Sequence, residues 1–163
     1  MLQFARAVTA VNGALFAAAK WLIYLIAALM LFEIVSRYSL SSPTSWAPEL
    51  AALIFGPFFL LGGPYLLHRG GHVSVDLLSG RARGRLKKTL AIIGALLAMI
   101  FGAVLLWFAL PLVLQSFEYG ETSYSSWNPV LWPTKAFLPL SAFLLILQAL
   151  AEIIFRLHER EAE

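Results

Sequence analysis

The chain has 163 residues, 60% of them hydrophobic and 13% charged, with a formal net charge of +3. Soluble domains are roughly half apolar and a quarter charged, so this composition excludes an ordinary water-soluble globule and points to several lipid-facing helices. The chain has no cysteine, which removes disulfides, thiolate metal sites and cysteine nucleophiles. Its basic residues cluster beside apolar segments, so they read as topology signals and not as a nucleic-acid footprint.

Residues 1–12 form a short, mildly amphipathic lead whose one charge is Arg6. The apolar region from Ala7 to Phe32 is broken by Lys20 alone. It is long for the core of a signal peptide, and no small-x-small cleavage site leads into a polar chain. The expectation is an uncleaved first transmembrane helix over residues 14–37. Lys20 would lie near its cytoplasmic end and reach toward the headgroups. Near the other end, Glu33 and Arg37 stand four apart with the acid first, the favourable order for a helical ion pair. The pair either settles the helix end at the membrane surface or meets another membrane subunit.

Residues 39–49, SLSSPTSWAPE, hold Pro43 and Pro48 with four Ser and one Thr, and such a segment is a turn. Trp46 suits an interfacial anchor. Ser45 is a candidate helix cap, with Pro48 in the first turn and Glu49 near the positive end of the helix dipole. The uncharged run Leu50–Leu67 is just long enough to span. Its Gly56, Pro57, Gly62, Gly63 and Pro64 predict a kinked helix buried on one side against protein.

The stretch 68–88, HRGGHVSVDLLSGRARGRLKK, carries half of the chain's Lys and Arg: Arg69, Arg81, Arg83, Arg85, Lys87 and Lys88. Positive residues in short loops resist translocation, so this loop is expected in the cytoplasm. A short segment around Val73, Val75, Leu77 and Leu78 would lie along the interface. The run Thr89–Phe117 is longer than a bilayer core needs and must tilt, bend at Pro111 or protrude. The next loop, EYGETSYSSWNPVLWPTK, is aromatic with no basic excess, a periplasmic pattern. A fourth span follows from Ala136 to Phe155.

The expected fold is therefore an all-α integral membrane protein, a single domain over 1–163 with four transmembrane helices at about 14–37, 48–68, 88–116 and 135–156. Both ends would lie inside. That topology puts Arg6, Lys20, Arg69, Arg81, Arg83, Arg85, Lys87, Lys88, Arg156 and Arg160 in the cytoplasm and leaves only Arg37 and Lys135 outside, as the positive-inside rule asks.

Catalytic signatures are weak. GGHVS lacks the Lys-Ser/Thr ending of a phosphate loop, and neither a GxSxG elbow nor an HExxH is present. His68 and His72 have a spacing that on a helix would bind metal or haem, with His158 a distant third, but Gly70 and Gly71 interrupt it. His72 and Asp76 are an acid–base pair by type, or a tie holding the loop against the helix ends. Glu152 is expected to pair with Arg156 along one helix. Gln115 and Gln148 are expected near helix ends and Asn12 near a start, leaving the helix centres apolar. A stand-alone transporter shows polar groups at mid-membrane, so an accessory or scaffold role is favoured. A haem-binding redox protein and a self-assembling four-helix module are the competing readings.

Three separated motifs carry a resemblance: RYSLSSPTSWAPELA (37–51), GGHVSVDLL (70–78) and GETSYSSWNPVLWPTKAFLPLSAFLLILQAL (120–150). In this order they resemble the small, four-helix, DctQ-like membrane subunit of tripartite ATP-independent periplasmic (TRAP) transporters. The likeness covers about Leu31 to Leu150; the first thirty or so residues carry no such motif. It implies a fixed scaffold beside a large multi-spanning subunit that holds the substrate and sodium sites. A periplasmic solute-binding protein would deliver an organic anion, and an ion gradient would drive uptake across the bacterial inner membrane. It implies no cofactor, no metal and no nucleic acid; the partners are the two other subunits and the lipid bilayer. Carried over by position, Arg37, Tyr38, Trp46 and Glu49 would face the periplasm, close to the large subunit or the binding protein, and Glu33 joins this expected interface through its spacing from Arg37. Gly71, His72, Val73 and Asp76 would fix the cytoplasmic turn.

Overall fold

The computed structural model describes residues 1–69 and 85–158. Among them the chain is all helical: α1 (Leu2–Ala19), α2 (Leu22–Tyr38), α3 (Trp46–His68), α4 (Arg85–Glu118), a single turn α5 (Trp132–Lys135) and α6 (Phe137–His158). Four stretches are long and apolar enough to cross a membrane: Leu2–Tyr38, Trp46–His68, Lys88–Glu118 and Trp132–His158.

The first of these begins well before residue 14. Residues 2–19 are rich in alanine and other helix formers, and their small face (Ala5, Val8, Asn12, Ala19) is buried. Ala5 and Val8 meet Ala151, with Leu147, Ile154 and Phe155 around them. The sequence hid this because a polar-looking start, Gln3 and Arg6, sits on the outward side of a helix whose inward side needs only small residues. The backbone ladder tightens where α1 gives way to α2. Trp21 N–H donates to Ala18 O at 3.1 Å and Tyr24 N–H to Trp21 O at 3.2 Å, both three residues back, the bonding of a 3₁₀ turn. The rod of 37 residues is about 55 Å long at ~1.5 Å per residue. Its first part, α1, packs on α6 and α3, and its second part, α2, lies along α3.

The helix α3 runs without interruption through Pro57 and Pro64 and buries Ala47, Ala51, Pro57, Leu61, Gly62 and Pro64. Each proline lacks an N–H and so frees the carbonyl four residues earlier, at Leu53 and Leu60. Ser45 precedes the helix but makes no side-chain cap bond, so the cap expected of it is not formed. The helix α4 is also unbroken through Pro111. At 34 residues it reaches about 51 Å, so it accommodates its excess length without ending at the proline. It packs most extensively on α6. Gly102 is the point of closest approach, since a Cβ there would stand 2.9 Å from Ile146 Cγ1 and 3.2 Å from Ala142 O.

The connection 119–131 folds back on itself. Ser123 N–H donates to Pro129 O at 3.1 Å, Leu131 N–H donates to Glu121 O at 3.0 Å, and Thr122 bridges Val130. Gly120, at φ 58°, makes the left-handed exit from α4 that glycine adopts without a Cβ penalty.

Contacts between Ala5 and Ala151 and between His68 and Glu152 bring the start of α1, the end of α3 and the end of α6 to one end of the bundle. The turn 39–45 and the loop 119–131 share the other.

Candidate functional site

At the loop end, Glu33 is buried, 3% exposed, where the apolar run of α2 gives way to Ser36 and Arg37. One carboxylate oxygen pairs with Arg37 Nη2. The other accepts from Thr44 N–H at 2.9 Å and also from Thr44 Oγ1. Ser36 Oγ donates to Ser42 O. The i,i+4 pair expected from the sequence is therefore formed, and the same carboxylate closes the turn 39–45 onto α2. Trp46 packs on Phe32 with ring centroids 5.7 Å apart. Glu49 accepts from Ser125 Oγ at 2.6 Å, which ties α3 to the far loop. Tyr38 is 78% exposed, and the Arg37 side chain is half exposed. Of the five residues expected at this end, Glu33, Arg37, Trp46 and Glu49 are engaged within the chain, Arg37 with half of its side chain still exposed, while Tyr38 is exposed. Glu121 pairs with Lys135; that lysine ammonium holds the Glu121 carboxyl below the usual carboxylate range.

At the terminal end a polar network crosses three helices, which the sequence did not reveal. Gln148 is fully buried in α6. Its Oε1 accepts from Asn12 Nδ2 at 2.8 Å, and its Nε2 donates to Thr9 Oγ1 and Glu152 Oε1, both at 3.0 Å. Glu152 Oε1 also accepts from His68 Nδ1 at 2.6 Å. Gln148 lies midway along α6 by count, while its partner Asn12, next to Gly13, stands level with Tyr65 near the close of α3. Glu152, expected to pair along its own helix with Arg156, instead links α6 to α3. Asn12 Oδ1 has no hydrogen-bond partner among the described residues. Beside the network, Arg6, Thr9, Ala10, Gly13, Tyr65, His68 and Phe155 line an open cleft of about 380 Å³.

Lys20 departs from its expected place. Gly13 lies against Tyr65, Phe16 against Gly62 and Tyr65, and Phe32 against Trp46. Each step forward along α1 and α2 is thus a step back along α3. This register puts Lys20 level with roughly Phe58, close to the middle of α3. An exposed ammonium on the side of an apolar bundle costs about 2.5–3.5 kcal/mol at the centre of a bilayer.

Gly71, His72, Val73 and Asp76, together with the expected interfacial segment, lie outside the described residues. Among the described residues no group of three or more His, Asp or Glu is placed to hold a metal ion. His68 is committed through Nδ1 to Glu152, and His158 Nδ1 lies 3.1 Å from Ile154 O.

No curated protein matches this chain. A family model does: that of the tripartite ATP-independent periplasmic transporters, DctQ component, which matches residues 26–159, well over half of the sequence.

Proposed function

The chain belongs to the DctQ component family of tripartite ATP-independent periplasmic transporters, and from that premise we propose that it is the small membrane subunit of such a system. It braces a large multi-spanning subunit while an ion gradient drives uptake of an organic anion handed over by a periplasmic binding protein. The observation that carries the bracing role is how its interior polar groups are used. Asn12, Gln148, Glu152 and His68 bond to one another across α1, α6 and α3, and Glu33 bonds to its own turn. These groups fasten helices together and leave solute handling to another subunit. Meanwhile α2 and α4 turn large side chains outward along their lengths, among them Phe32, Ile100, Phe101, Trp107 and Phe108, the surface such a brace offers to lipid and to a neighbour.

The end that gathers Arg6, Arg69 and Lys88 is cytoplasmic, by the positive-inside rule. The end with Glu33, Glu49 and the loop 119–131 then faces the periplasm of a bacterial inner membrane. There Tyr38 and the exposed half of the Glu33-paired Arg37 are what the expected set offers to a partner subunit.

Two experiments test this. The chain lacks cysteine, so single cysteines at Tyr124 and Leu157 report sidedness directly. A membrane-impermeant maleimide added to intact spheroplasts should label the first and spare the second. Deletion of the chain should abolish uptake that the large subunit and binding protein otherwise support. Undiminished uptake without it, or accumulation driven by this chain alone in vesicles, would overturn the assignment.

A further inference from the structure

Lys20 is an ionisable side chain in the wrong place for a lipid-covered helix. The helix α3 is 23 residues long, about 34 Å at the usual rise, and so matches a hydrocarbon core of roughly 30 Å. Its middle is therefore near the middle of the bilayer, and the register described above puts Lys20 there. About ten residues of α3, or 15 Å, separate that level from the nearer polar boundary, more than a four-carbon stem spans. Lys20 is exposed, and among the described residues no carboxylate pairs with it.

Its surroundings point the same way. Trp21 and Tyr24 are 65% and 66% exposed, with ring centroids 5.5 Å apart. Aromatic side chains with polar tips collect at membrane interfaces, yet these sit beside Lys20 at mid-depth. The outward groups at this level are an ammonium, an indole N–H and a phenol, which together are rich in donors. On the same side Ala10, Ala14 and Ala17 are exposed at helical spacing, so a second helix can approach closely.

We propose that Lys20, flanked by Trp21 and Tyr24, docks a helix of the large membrane subunit that carries a carboxylate at mid-bilayer depth. The inference rests on the assembly role proposed above, and adds to it the contacting face and the chemistry that recognises it. A carboxylate satisfies the donors, and pairing removes the cost of an isolated charge in hydrocarbon. The 3₁₀ turn at Lys20–Trp21 sets the direction in which these side chains leave the rod.

The test uses the full chain co-expressed with the large subunit. Lys20→Leu should cut the large subunit recovered with the tagged chain at least about tenfold, because the partner carboxylate is left buried and unpaired. Lys20→Arg should retain most of it. Lys20→Glu should abolish recovery, and exchange of one membrane carboxylate of the large subunit for lysine should restore it. Lys88→Leu, the same charge loss at the bundle end, should have no effect. Purified alone in nanodiscs, the Lys20→Leu chain should unfold no more easily than the unaltered one, which separates a docking loss from a folding loss. Three results overturn the proposal: undiminished recovery with Lys20→Leu, an equal loss with Lys88→Leu, or rapid reaction of a Trp21→Cys chain in nanodiscs with a water-borne maleimide. If the unaltered chain captures no large subunit, the assembly role itself fails and takes the contact with it; a Lys20→Leu loss beside intact wild-type recovery speaks to the contact alone.

Discussion

Replacing Gln148 by leucine should loosen α1 from the bundle. The side chain is fully buried and serves three partners: Asn12 at 2.8 Å, and Thr9 and Glu152 at 3.0 Å each. Hydrogen bonds between membrane helices average about 0.6 kcal/mol and reach about 1.7. Two of Gln148's three bonds, those to Asn12 and Thr9, run between helices, and at the average they give roughly 1 kcal/mol. Asn12 Oδ1 already lacks a partner, so the substitution strands the whole Asn12 amide in an apolar site and adds about 1 kcal/mol or more. Leucine fills a similar volume, so the cavity term stays small. The expected loss is about 2 kcal/mol, read as unfolding in mixed micelles and as faster proteolysis within residues 1–19. A double-mutant cycle sharpens it. Once Gln148→Leu is present, Asn12→Leu should cost little or even stabilise, with a coupling of at least about 1 kcal/mol. Additive effects, or a Gln148→Leu loss under about 0.5 kcal/mol, would refute the network as a structural tie.

Glu33→Ala should cost about 1–3 kcal/mol, because Thr44 N–H and Arg37 lose their acceptor; faster amide exchange across residues 39–45 is the measurement, and Glu33→Gln should recover part of the protection. Gly102→Val should cost about 1–3 kcal/mol by overpacking, since the backbone oxygen of Ala142, 3.2 Å from the new Cβ, cannot yield as a flexible side chain would. Gly63→Ala meets nothing within 4 Å and should be neutral or raise the melting temperature slightly. The Glu121 carboxyl is held below its usual value of 4.5 by the Lys135 ammonium, so its contribution is present above about pH 4.5 and is lost as pH falls through the lowered folded value. Fluorescence of Trp127 and Trp132 should therefore change in that acid range, and Lys135→Met should move the change toward pH 4.5.

The four apolar spans were legible because a membrane helix announces itself by composition over about twenty residues. The Glu33–Arg37 pair was legible because its spacing is local. The partners that close the bundle were not. Asn12 and Gln148 are 136 positions apart, and His68 and Glu152 are 84 apart; local rules offered Arg156 as the partner of Glu152 because it stands one turn away. The part of α1 before residue 14 was not legible as part of the first span, because small residues suffice for its buried face and it carries little periodic signal. Lys20 was misplaced for a related reason. Counting from an assumed start at residue 14 made it terminal, whereas its depth is set by the contacts of Gly13 and Phe16 with α3.

The helix α3 is fastened near each end and softened twice between. Glu49 in its first turn is tied to Ser125, and His68 at its close is tied to Glu152, whereas Pro57 and Pro64 have taken two rungs out of its ladder. A sideways load would therefore bow this post between Leu53 and Pro64 while its ends keep their positions.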